Sequence, residues 1–208
     1  QHTFFRYSGA TVADGSRIRI SPQAYYYLGS LGIMSEYAQI IQDVSLSTGG
    51  SPPGGGPGSN SVITPNTGKT LHHQAWHVTA SYLLTGEDAS FGSVRPRRNF
   101  EWGTGWGAWE LVGRYGEIRL DEDTFKNPSG TSFTGAYANL SDSAKRARSW
   151  AVGLNWYLNP NVRVALNYLE TRFEGGAAVG ITPINAAGTN VQDRPDERAF
   201  FSRLQLAF

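Results

Sequence analysis

Apolar and polar residues alternate with a period of two over most of this chain. The clearest run is Ala147 to Leu158. Arg148, Trp150, Val152, Leu154, Trp156 and Leu158 share one face, and Ala147, Ser149, Ala151, Gly153, Asn155 and Tyr157 share the other. Period two is the signature of a strand with two unlike faces. After a turn at Asn159-Pro160-Asn161, Val162, Val164, Leu166 and Tyr168 alternate with Arg163, Ala165 and Asn167. The pattern predicts strands over Arg17–Leu28, Leu31–Leu46, Leu71–Leu84, Gly107–Leu120, Ala147–Leu158, Val162–Phe173 and Arg198–Phe208. His2 to Tyr7 reads as the last half of a further strand, and Ser8 to Ser16 as a polar loop. In Leu31–Leu46 an inward Glu36 places Gln39 outward, so either a bulge shifts the register or that surface meets protein.

The size of the apolar groups points to a membrane. Trp150 and Trp156 bracket one face of a run about as long as a tilted membrane strand, roughly 9–11 residues. Trp76, Trp109, Trp150, Trp156 and the final Phe208 are the expected lipid-facing aromatic girdle. A soluble sandwich also alternates, but it would gather these tryptophans in one closed interior.

Composition agrees with an all-β, antiparallel transmembrane barrel of about eight strands. The 208 residues include 25 glycines and are 12% aromatic. Mean hydropathy is negative. No run of about 18 apolar residues predicts a membrane helix, but a barrel escapes that test because its two faces cancel. The chain has no cysteine, which leaves disulfides and thiolate metal sites out. Its net charge of +1 favours no partner in bulk, so charge matters only where it is placed. The whole of 1–208 reads as one barrel domain.

Long polar segments at 8–16, 47–70, 121–146 and 174–197 alternate with short links, apart from 85–106. Barrels of this kind carry long external loops and short periplasmic turns, so Phe208 is expected at the periplasmic end. The start of the chain carries neither the basic nor the apolar part of a signal peptide. Eight strands alone leave only a filled interior, so a larger barrel, of which this is a part, is expected.

Chemistry is then read from the inward positions. Arg17, Arg19, Arg114, Arg163 and Arg203 are the candidate anion contacts of a lumen, because a guanidinium stays charged and its fork fits phosphate-like oxygens. Pairing with Glu110 or Glu36 is the bland reading for Arg114. His73, His77 and Glu110 are expected as other polar lumen residues. Two histidines without a third ligand are weak evidence for a metal, and none is expected. No Ser, His and Asp set suggests a triad, and the arginines at 95, 97 and 98 lack the aromatics of a nucleic-acid surface. No cofactor, no enzymatic activity and no nucleic-acid partner are expected.

Several stretches carry a resemblance to a known family. They are Arg19 to Tyr27, Glu36-Tyr37, Ala80 to Ser90, Pro96-Arg97-Arg98, and Trp106 to Val112 with Arg114-Tyr115. Trp150 to Asn159, Arg194 to Glu197 and Arg203 to Phe208 complete the set. Together, and in this order, the chain resembles the C-terminal half of the phosphate-selective porins O and P of Gram-negative outer membranes. The resemblance implies a barrel of about sixteen strands and a homotrimer. It implies an outer-membrane location against lipid, and a passive channel for small hydrophilic solutes that prefers anions such as phosphate. A barrel serving as an anchor or assembly component, and an outer-membrane hydrolase, are the competing readings.

The Leu204, Leu206 and Phe208 alternation also resembles the terminal signal read by outer-membrane assembly machinery. Deleting Phe208 should lower the folded yield of the whole protein in membranes. An unchanged yield, read from the heat-modifiable band on a gel, would remove that role.

Overall fold

The computed structural model describes residues 3–48, 62–128, 135–178 and 191–207. Ten strands form one antiparallel sheet: β1 Thr11–Ile20, β2 Gln23–Leu28, β3 Leu31–Thr48, β4 Val62–Ile63, β5 Lys69–Leu83, β6 Ala108–Arg119, β7 Ala144–Asn159, β8 Val162–Ala178, β9 Val191–Asp193 and β10 Glu197–Leu206. The path is β1-β3-β5-β6-β7-β8-β10. β2 continues β1 along β3, while β4 and β9 are short additions to β3 and β8. Along this path each strand pairs with the one that follows it, the meander expected from the alternation. Among the described residues no ladder joins β10 to β1, so the sheet is open.

Turn chemistry fixes the register. At the β2–β3 hairpin, Leu28 pairs with Leu31, leaving Gly29 and Ser30 in the turn. Gly29 has φ +53, the glycine-first geometry of a two-residue hairpin. Between β7 and β8 the Asn161 amide donates to Asn159 Oδ1 at 2.9 Å, closing an Asx turn around Pro160. Pro22 breaks the Arg17–Leu28 run into two strands, because it has no amide to donate. It is tolerated because this is an edge strand. Its carbonyl still accepts from the Tyr37 amide at 3.1 Å.

Three expectations are corrected. Residues Thr3 to Tyr7 are not a strand. They form a strap across the sheet, its apolar residues packed on loops and its backbone bonded to them. The polar stretch to Ser16 is not all loop: Thr11, Val12 and Ala13 already pair with Leu46, Ser45 and Val44. A bulge between Ala13 and Arg17 at Gly15 lets the edge bend, with Asp43 accepting from the Ser16 amide and hydroxyl, both at 2.9 Å. The third concerns β3. Its pairing with β5 runs unbroken from Leu31 to Val44, so no bulge shifts Gln39. Gln39 faces outward opposite Gln74.

There is no central core. One apolar cluster, Leu83, Val94, Ala108 and Tyr157, lies at the short-turn end under the 85–106 connection. Two others lie at the long-loop end: Val44, Leu71 and Tyr137, and Leu120, Phe125 and Ala138. Between them the sheet curls around open space.

Gly107 anchors the short-turn end. Its φ is +68, and an added Cβ would run into the Tyr157 carbonyl oxygen. Gly107→Ala should therefore lower stability by at least about 1–2 kcal/mol. The urea midpoint of the folded protein checks this; a midpoint at the wild-type value would mean the close approach relaxes freely.

Candidate functional site

Alternation gives the sheet two chemically different faces. The concave face encloses a cavity of about 1180 Å³, lined by strands from β3 to β10. Much of its lining is small: Ala38, Ala75, Gly116, Ala147, Ser149, Ala151 and Ala165. Small side chains on the inner face keep the space open rather than filled.

The cross-strand register places the charged residues on this face. Arg17 is opposite Gln42 and Arg19 opposite Ile40, toward the long-loop end. Arg114 lies mid-sheet between Thr79 and Ala151. Arg203, opposite Ala165, and Arg163, opposite Tyr157 and Gln205, lie toward the short-turn end. Arg114, Arg163 and Arg203 line the cavity. Among the described residues, none of these five arginines has a carboxylate within 4.0 Å, although nine other basic side chains do. Arg114 therefore does not pair with Glu110 or Glu36. Arg163 donates to Gln205 Oε1 at 2.7 Å and lies over the Tyr157 ring at 5.6 Å.

Glu197 lines the cavity beside Thr171, and two other inward acids are satisfied by neutral donors. Glu110 accepts from Asn155 Nδ2 and Tyr157 Oη, each at 2.8 Å. Glu36 accepts from Ser21 Oγ at 2.7 Å and sits opposite His77. His73 is fully engaged. Its Nδ1 accepts from the Asp121 amide at 3.2 Å, so in the neutral ring Nε2 carries the proton toward Tyr7 Oη, 2.7 Å away. The two histidines share a face, yet His73 has no lone pair left for a metal.

The long-loop mouth is narrowed by elements that alternation could not reveal. The strap locks onto residues 121–128 and 135–143 over the concave face. Arg6 Nη2 pairs with Asp142 at 2.5 Å, the Ala144 amide donates to the Phe4 carbonyl at 3.0 Å, and the Ser8 amide donates to the Tyr137 carbonyl at 2.7 Å. Phe5 packs edge-on against Tyr7 and Phe125, at 4.8 and 6.4 Å. The signal in the sequence was the unalternated Phe4-Phe5-Arg6-Tyr7 run. Burial pushes the Tyr7 phenol above its ordinary pKa.

On the convex face, Trp109 and Trp156 stack at 5.0 Å near the short-turn end, and Phe100 meets Trp156 edge-on at 4.9 Å. Trp76 pairs with Tyr115 at 5.6 Å, and Trp150 with Tyr168 at 5.4 Å, nearer the long loops. These are two aromatic rows with Val78, Leu111, Val152 and Leu166 exposed on the same face. Phe208 lies outside the described residues.

A family model described as phosphate-selective porin O and P matches residues 6–177. The chain belongs to this family. It is also 25% identical over 150 residues to Porin O of Pseudomonas aeruginosa, covering 69% of this chain and 28% of that protein. Membership in the porin O and P family accounts for the order of features along the chain: strands, short turns at one end, and long loops at the other.

In this porin the short-turn end is held by a buried carboxylate. Glu87 accepts from Thr85 Oγ1, and from the Arg97 amide at 3.1 Å. Burial by itself raises its pKa, but these hydrogen bonds and the Arg97 charge outweigh it, so the net pKa lies below the ordinary value. A depressed folded pKa stabilises above the unfolded value of about 4.3, and that stability is lost as pH falls through the folded value. Glu87→Gln should therefore cost stability at neutral pH and flatten the fall in urea midpoint on acidification below about 4.3. Parallel pH curves for the two proteins would show that Glu87 contributes nothing to the acid limb.

Proposed function

We propose that this chain forms part of a passive outer-membrane channel for small hydrophilic solutes, with a bias toward anions such as phosphate. The observation that carries this reading is the unlike treatment of arginine on the two faces. Inside, Arg17, Arg19, Arg114, Arg163 and Arg203 have no carboxylate partner among the described residues. Outside, the arginines are paired. Unpaired guanidiniums along a water-filled wall hold a positive potential and offer donors that a permeating anion can meet in succession. Family membership supports a channel over an enzyme or a bare anchor, and it supports a Gram-negative outer-membrane location with the long loops outside. Porin O carries its class in its name, and the matched region is 28% of its length, so solute and assembly are proposals for this chain. A homotrimer is the assembly proposed, on family grounds.

The convex aromatic rows suit two membrane interfaces, and the apolar residues between them suit lipid. Placing Arg17 and Arg19 on the lipid side instead would cost roughly 2–4 kcal/mol each at the midplane. On the inner face they stand roughly 7 Å apart along the strand, within one Debye length, so their fields add. Glu36 lies six residues along β3 from Gln42, the partner of Arg17, roughly 20 Å away and beyond one Debye length, so it does not cancel that charge. The strap, with residues 121–128 and 135–143, narrows the mouth beside the same arginines, which brings entering solutes close to them.

Replacing Arg17 and Arg19 with glutamine should lower the anion-to-cation permeability ratio in reversal-potential measurements on planar bilayers. An unmoved ratio would make these two arginines structural. Absence of conductance in the wild-type protein would remove the channel reading itself.

A further inference from the structure

The convex face changes character at one step on five adjacent strands. Toward the long loops, its last aromatic residues are Trp76, Tyr115, Trp150, Tyr168 and Phe200, on β5, β6, β7, β8 and β10. One position further on the same face stand Gln74, Glu117, Arg148, Glu170 and Arg198. Beyond these come Arg119, Arg146 and Arg172. The apolar wall thus ends in an arginine belt. Near the short turns this face instead carries Trp109, Trp156 and Leu204, so the belt marks one leaflet.

The belt is layered, with carboxylates beneath guanidiniums. Glu170, 8% exposed, holds Arg172 at 2.9 Å and Arg198 at 3.3 Å, which are 67% and 63% exposed. Glu117, 18% exposed, holds Arg148 at 3.1 Å and Arg146 at 3.5 Å. Glu174 and Asp196 add further contacts to Arg146 and Arg172, at 3.3 and 3.5 Å. Each of the two buried glutamates therefore carries two arginines. Arg148 is gripped through Nε, which leaves its Nη edge toward solvent.

Arg148 and Arg172 are direct cross-strand partners on β7 and β8. Like charges in that relation, with Cβ atoms about 5 Å apart, repel; Glu117 and Glu170 offset this from below, and an anion above the pair would offset it further. Neither is needed to neutralise the other's glutamate. Arg172 gives Nε and Nη2 to Glu170 and keeps Nη1 clear of it, and Arg148 keeps its Nη edge clear of Glu117, which sets the remaining donors of both for the oxygens of one phosphate.

We propose that Arg148 and Arg172 clamp a phosphate of a lipid headgroup in the leaflet on the long-loop side. Its acyl chains would lie on Trp150, Val152 and Leu154 below. The proposal rests on the membrane placement given above. The apolar wall one residue away selects a lipid over a soluble anion, because only a lipid uses both surfaces at once.

The test is native mass spectrometry of the delipidated whole protein in detergent with EDTA. It is titrated with a bisphosphorylated diglucosamine lipid, and separately with the same lipid after phosphate removal. Wild type should retain the phosphorylated form about tenfold better, and Arg148→Gln with Arg172→Gln should erase that preference, with channel conductance unchanged. Equal retention of both lipids by a conducting wild type overturns the clamp alone. So does an unchanged preference in the variant, full displacement by inorganic phosphate at the lipid's own concentration, or dissociation of the oligomer in the variant, which would assign the belt to a neighbouring copy. A wild type that neither inserts nor conducts overturns the clamp together with the membrane placement.

Discussion

The antiparallel hydrogen-bond ladder is the constraint on which everything else depends. Every backbone donor and acceptor in the spanning region needs a partner on a neighbouring strand, since hydrocarbon offers none. The ladder is held almost without interruption from β3 to β10, with shifts only near the ends of β7 and β8. An unslipped ladder forces alternate side chains to opposite faces over every strand in register. One slip would carry Arg114 to the wall now formed by Leu111 and Val152. The two faces are therefore a consequence of pairing, and the placement of charge follows from the faces.

Arginine stands in two unlike surroundings on those faces, and the carboxylates make the difference. On the convex face, glutamates lie beneath the arginines and fix their direction. On the concave face the two glutamates near them, Glu36 and Glu110, are taken by Ser21, Asn155 and Tyr157. Neutral donors satisfy these acids without cancelling the inner arginines. A chain of +1 net charge thus leaves five inner arginines without a direct ion pair among the described residues, through arrangement alone.

Stability is placed at the two ends. The middle of the concave face is lined by alanine, serine and glycine and buries little, so apolar clusters form where segments fold back over the rims. At the short turns, Val94 of the 85–106 connection covers Leu83, Ala108 and Tyr157. At the long loops, Phe4, Phe5 and Tyr7 join clusters built on Phe125, Tyr137 and Ala138. An open passage and a conventional core compete for the same volume, and the rims take over the work of the core.

The sequence by itself determined the strands, their order and their faces, because period two and turn residues act locally. Gly29-Ser30 and Asn159-Pro160-Asn161 mark the hairpins, and Ile18 and Ile20 set the direction of Arg17 and Arg19. Membership in the porin O and P family was also legible, through ordered short stretches such as Trp150 to Asn159. The strap was not: Thr3 to Tyr7 makes its bonds to residues more than a hundred positions away, such as Asp142 and Ser143. Nor was the break at Pro22 given its full effect, since only its edge position makes the missing amide harmless. Which arginines are paired was decided by the tertiary structure alone. Arg148 meets Glu117 across 31 residues of chain, and no local pattern distinguishes it from Arg114, whose neighbours across the sheet carry no acid within reach.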